Sequence, residues 1–288
     1  MANADKCHLI IPFKSYLMTL ADAVDDEGKI DKAAFMLAGQ REFENYKAIE
    51  RRINDPACNG ATGGNGPISS VILDESDGTD VLGSVGYTSS AFDMQPGDLF
   101  LVAFIYHRNA GAAPAGVVTH SGGATFTMVR GVNWASGDGA RLEVWRCQPS
   151  TFYGGGTLSL TSSSAGITMI RGLWHVIGFT GAFDDRTNNG AGAILESADR
   201  GLNTSTTSST VTLTTRVNSP DSIYAAFGIG ASNTTATVGA TYNQLALSTV
   251  ENVVLFSEYK YGDNTSDATA SWTNTTLNQA IALSIKSS

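Results

Sequence analysis

Leu99-Phe100-Leu101-Val102-Ala103-Phe104-Ile105-Tyr106 is an unbroken apolar run with Pro96-Gly97 before it and Asn109 just beyond it. It is short, rich in aromatic and β-branched residues and bounded by turn formers, which predicts a β-strand covered on both faces. Neighbouring segments alternate instead. Leu142 and Val144 are interleaved with Arg141 and Glu143, Leu158 and Leu160 with Thr157, Ser159 and Thr161, and Val211 and Leu213 with Thr210, Thr212 and Thr214. Alternation places one face against a core and the other against water. No helical period of useful length follows residue 68, and strands recur between Gly, Asn and Asp turns. The expected fold class is therefore mainly β, a large antiparallel two-sheet sandwich, over a parallel α/β arrangement.

Composition agrees with this reading. The 288 residues are 42% hydrophobic and only 16% charged, against roughly 25% charged in a typical soluble domain. Ser, Thr, Asn and 31 glycines supply the polarity, as expected for turns and hydroxylated strand faces. With 27 acidic against 18 basic residues the net charge is -9, so nucleic acid and anionic membranes are poor partners. Cys7, Cys58 and Cys147 cannot all pair and form no C-x-x-C, which implies free thiols in a reducing compartment. Residues 1–12 lack a signal-peptide core and no later run reaches membrane-spanning length, so a soluble chain made in the cytosol is expected. Sequons such as Asn233-Thr234-Thr235 are read as strand and turn composition.

Charge density divides the chain. Of the first 60 residues 18 are charged, against 27 of the remaining 228, and only Lys260 and Lys286 follow Lys47 among the lysines. Within 1–54, Ser15–Val24 and Asp31–Ile53 read as helices. On the longer one Met36, Phe43, Tyr46, Ile49 and Ile53 recur at helical spacing and form one apolar stripe, to be buried against a neighbouring element or used as an anchor for a partner. Residues 55–67 have the Gly, Pro and Asn density of a linker, and 68–288 are the β region.

The β region echoes itself. Gly97 to Phe104, Gly123-Ala124-Thr125-Phe126, Arg141 to Arg146 and Ile167 to Phe179 are followed in the same order by Asp221 to Phe227, Gly239-Ala240-Thr241-Tyr242, Val254 to Lys260 and Ala280 to Ile285. This predicts two similar halves, about 68–183 and 184–288, interleaved as a single sandwich. The succession of Pro96 to Phe104, Gly123 to Phe126, Leu142 to Trp145, Thr157 to Ser162 and the second Asp-Ser-Ile-Tyr-Ala-Ala-Phe block resembles the jelly-roll sandwich modules of tailed-phage structural proteins. That resemblance covers residues 68–288 and rests on strand order and composition. It implies a jelly-roll-like fold and a non-enzymatic role as a capsid decoration, cement or head-fibre protein. It further implies assembly into virions in the host cytoplasm, with the major capsid protein or other virion proteins as partners and a homo-oligomeric state. The helical leader is not part of the resemblance and would serve as the anchor.

Motifs for chemistry are sparse. His8, His107, His120 and His175 have no metal-binding spacing, and Thr119 to Gly123 lacks the first glycine of a nucleophile elbow. Gly228 to Asn233 lacks the third glycine and the helix of a phosphate loop. Asp184-Asp185 reads as a polar corner, because neighbours on a strand point apart. Asp74 to Asp80 gathers carboxylates around Gly78, either as a hairpin turn or as a seat for a hard cation. Trp134, in a loop-like Gly/Asn/Ser segment, is the residue nominated for a sugar, the alternative function being a glycan-binding tail appendage or surface adhesin that takes a host glycan. No catalytic residue, metal site or cofactor is nominated.

Overall fold

The apolar run at Leu99 lies in a ten-residue strand, Leu99–Arg108, in which every residue from Leu99 to Tyr106 is buried. The computed structural model describes residues 68–76, 86–108, 113–134, 139–164, 169, 171–201, 205–230 and 235–288. In chain order its strands are β1 (Ser69–Glu75), β2 (Gly86–Thr88), β3 (Phe92–Met94), β4 (Leu99–Arg108), β5 (Gly116–His120), β6 (Thr127–Asn133), β7 (Gly139–Cys147), β8 (Tyr153–Gly156), β9 (Leu158–Ser162) and β10 (Arg171–Thr180). A 3-10 turn, Arg186–Asn188, then precedes β11 (Ile194–Gly201), β12 (Thr206–Ile229), β13 (Ala236–Thr237), β14 (Asn243–Val250), β15 (Val253–Thr276) and β16 (Asn278–Ile285). All pairings are antiparallel. The expected helices, the linker and the stripe Met36, Phe43, Tyr46, Ile49 and Ile53 lie outside the described residues, and no α-helix occurs among those described.

The two halves share one strand order. In the first, β1-β10-β4-β7-β6 form a sheet, with β2-β9-β5 and the short pair β3-β8 in two further sheets. In the second, β11-β16-β12-β15 continue into β14, while the opening residues of β12, the closing residues of β15 and β13 make the equivalent of β2-β9-β5. What the first half builds from separate strands the second builds from two strands of 24 residues each. Each breaks register midway, where Pro220 removes a ladder donor and Asn264 adopts a φ of 65°. The blocks that repeat in sequence occupy matching strands: Leu99 to Phe104 on β4 and Ile223 to Phe227 on β12, Leu142 to Trp145 on β7 and Val254 to Lys260 on β15.

The single two-sheet sandwich gives way to a four-layer arrangement, for a reason visible in β4. Its even residues Phe100, Val102, Phe104 and Tyr106 pack toward β2, β5 and β9 in a core confined to the first half. Its odd residues Leu99, Leu101, Ala103 and Ile105 join a second core with Tyr224, Ala226, Leu255, Ile281 and Leu283 of the other half. A third core, with Ile223, Ala225, Phe227 and Phe256, is confined to the second half. The two large sheets thus stand back to back, each covered again on its outer side, and central strands lose the alternation that a half-exposed sheet would impose. β1 lies across β14, β10 across β14 and β15, β7 across β16, and β6 across β11, so the halves are related by an approximate two-fold axis.

Candidate functional site

The most distinctive polar cluster lies in the shared core. β10 alternates Leu173, His175, Ile177 and Phe179 toward the opposite half, and His175 is fully buried there. Its Nδ1 is 2.8 Å from Ser257 Oγ on β15 and its Nε2 is 3.2 Å from Ser248 Oγ on β14. The Ser248 hydroxyl donates to the Ser76 carbonyl at 2.8 Å, so toward His175 it can only accept, and Nε2 must carry the proton. Nδ1 then accepts from Ser257, whose oxygen receives the Tyr224 hydroxyl at 3.2 Å. The result is a directional chain from Tyr224 through Ser257, His175 and Ser248 to Ser76. Burial pushes the His175 imidazole down to about 3, keeping it neutral at ordinary pH.

Two carboxylates are also buried. Arg141, Glu143 and Trp145 share the face of β7 that alternation assigns to water, yet Glu143 is fully buried and the other two are half-buried. Glu143 accepts from the Gly116 N–H at 2.9 and 3.1 Å, from Arg141 Nε at 2.5 Å and from Trp145 Nε1 at 3.0 Å, fastening the start of β5 to β7. On β15, Glu258 accepts from the Gly239 N–H at 3.0 Å, while its other oxygen is without a partner among the described residues. Burial raises its carboxyl to about 8, against the pull of Lys260 nearby. Lys260 Nζ lies 4.5 Å from the centre of the Tyr242 ring and 3.4 Å from Thr241 Oγ1.

The residues nominated from sequence do not converge. Trp134 is turned inward, 9% exposed, with its ring so close to Gly230 that a Cβ there would meet it at 2.5 Å. Its indole is 6.1 Å from the His107 ring, and Nε1 has no hydrogen-bond partner among the described residues. The sequence reading expects a loop aromatic open to a sugar; in the structure the ring packs against Gly230 and His107. Asp74 accepts from Trp174 Nε1 at 2.7 Å and from the Ser90 N–H at 3.1 Å, while Asp77 to Asp80 lie outside the described residues. Asp184 pairs with Arg186, and Asp185 accepts from the Gly192 N–H at 2.6 Å and from Asn188 Nδ2 at 3.0 Å, building a polar corner. His120 is buried, its Nδ1 accepting from the Gly122 N–H at 3.2 Å, in a turn rather than a nucleophile elbow. Among the described residues no His, Cys, Asp and Glu side chains gather as a metal site.

Sequence reasoning overlooked the polar clasp at His175 and the connector between the halves. In the connector, Gln148 donates through Nε2 to the Gly97 and Phe183 carbonyls at 2.8 and 3.0 Å, and its Oε1 accepts from the Asp185 N–H at 2.7 Å. No family model, curated protein or solved structure matches this chain. The described residues define a mainly β, antiparallel, sandwich-type protein.

Proposed function

We propose that this chain is a non-enzymatic structural component of a tailed-phage particle, a capsid decoration, cement or head-fibre protein held there by residues 1–54. The observation that carries the reading is the strand order common to both halves. The order β1-β10-β4-β7-β6 beside β2-β9-β5, repeated in the second half, supports a jelly-roll-like reading of each module. Such modules are what the resemblance to phage structural proteins implies. Two of them back to back make a dense knob. Its central strands are sealed on both faces, and its outer strands β9 and β12 present Ser and Thr to water. In this reading the protein works by burying surface against the shell, with many symmetric copies adding their contributions. The glycan-binding reading rested on Trp134, which is 9% exposed and packs against Gly230 and His107.

Co-sedimentation tests the attachment. Full-length chain added to particles that lack it is expected to pellet with them, and a chain missing residues 1–54 to stay in the supernatant with its β-type circular dichroism intact. Full attachment of the shortened chain overturns the anchor.

A further inference from the structure

The shared core is apolar apart from a few polar groups, and those are unequally placed about the two-fold axis. Pairing makes this explicit: Trp174 faces Phe104 and His175 faces Ala103 in the first half, while Ala280 faces Phe227 and Ile281 faces Ala226 in the second. Ile281 is therefore the counterpart of His175, and one half offers a branched hydrocarbon where the other offers an imidazole. The neutral imidazole has a partner at each nitrogen, and a second proton would require the hydroxyl chain to turn round. Ser248 accepts from Nε2 because its own hydrogen goes to Ser76, so the neutral ring accepts at Nδ1 from Ser257, which leaves Tyr224 to donate to Ser257. Both side-chain partners, Ser257 and Ser248, and Tyr224 behind Ser257, come from the opposite half.

We infer that the chain from Tyr224 through His175 to Ser76 is an acid-sensitive clasp: proton uptake at Nδ1 reverses the Ser257 hydrogen bond, buries a charge between the sheets and loosens β14 and β15 from β10. Among the described residues the surroundings supply no compensating anion. Tyr224 on β12 and Tyr259 on β15 are kept neutral by burial, the latter donating to the Ile68 carbonyl. Ala103 on β4 is apolar, and Asp74 on β1 is engaged by Trp174 on the other face of the sheet. Glu75, in register with His175 on β1, is exposed at the edge. Glu251, in the turn between β14 and β15, is paired with Arg171 of β10. Glu258 and Lys260 occupy the opposite face of β15, beside Gly239 and Tyr242. A buried imidazole held neutral is the sign that matters. Its stabilisation is complete above the ordinary histidine range and falls as pH drops, by a factor of about ten in the folding constant per pH unit.

Amide hydrogen exchange on the full chain between pH 6 and pH 3 tests the clasp, with His175→Ile, which copies the opposite half, as the comparison. Protection at β10, β14 and β15 is expected to fall before protection in the two outer cores, by about tenfold per pH unit once corrected for intrinsic exchange rates. The variant is expected to keep that protection to at least about one pH unit lower. Simultaneous loss in all three cores of the natural chain overturns the inference, as does a variant that opens at the same pH. Should His175→Ile not fold, the ordering of regions within the natural chain decides, together with the pH profile of His175 C2–H exchange. An ordinary histidine midpoint there also overturns it.

Discussion

Replacing Glu258 by Gln should flatten the alkaline side of the stability profile. The carboxyl is fully buried on β15, holds one N–H from Gly239 and is raised to about 8 from an ordinary value of 4.5. A raised folded-state value means that stability is undiminished below the unfolded value and is lost as pH climbs through the folded one. Between pH 5 and pH 8 the unfolded chain releases this proton while the folded chain largely retains it, so unfolding is favoured by about 3 kcal/mol. Gln cannot titrate, and its amide oxygen still accepts from Gly239. Urea unfolding at pH 6.5, 7, 7.5 and 8, above the range in which His175 contributes a slope, reads the difference: the midpoint of the natural chain should fall steadily while that of Glu258→Gln stays level. His175 acts in the opposite direction, its stabilisation shrinking below the ordinary histidine range, so the two groups together place the optimum on the mildly acid side of neutrality. Parallel slopes for the natural chain and Glu258→Gln would refute the argument, because they would mean that Glu258 ionises within the fold at no cost.

Two further substitutions test the packing. Gln148→Ala strips partners from the Gly97 and Phe183 carbonyls and the Asp185 N–H in one step, and is expected to cost about 3 kcal/mol in chemical denaturation, since each buried group left unpaired carries its own penalty. A loss below about 0.5 kcal/mol would show that water replaces the side chain there. Trp134→Ala should destabilise by about 3 kcal/mol and leave any glycan-array signal unchanged, because the ring fills space against Gly230 and His107; weakened glycan binding at unchanged stability would restore its role as a contact.

Which features were readable in the sequence follows from the range of the signals. The run from Leu99 to Tyr106 announced a strand covered on both faces, and the alternations at Leu158 to Thr161 and Thr210 to Thr214 placed the dry residues correctly. Alternation misled at Glu143, since a charged residue alternating with Leu142 and Val144 looks wet unless its donors, Gly116 among them, are known. The layer count was out of reach for a related reason. A strand buried on both faces states that it is covered, not which sheet covers it, and the cover came from residues more than a hundred positions away. His175 was invisible because Ser248 and Ser257 lie 73 and 82 residues on, and common serines leave no spacing signature. The packing of Trp134 against Gly230 and His107 was not legible because Gly and Ser around an aromatic signal a turn but not the ring's neighbours.

Quantitative mass spectrometry of purified virions, scaled to the major capsid protein, tests most directly the proposed place of this protein in a phage particle. A decoration or cement role predicts on the order of hundreds of copies per particle, because closed shells repeat each site many times. Absence of the chain from purified virions would contradict the account.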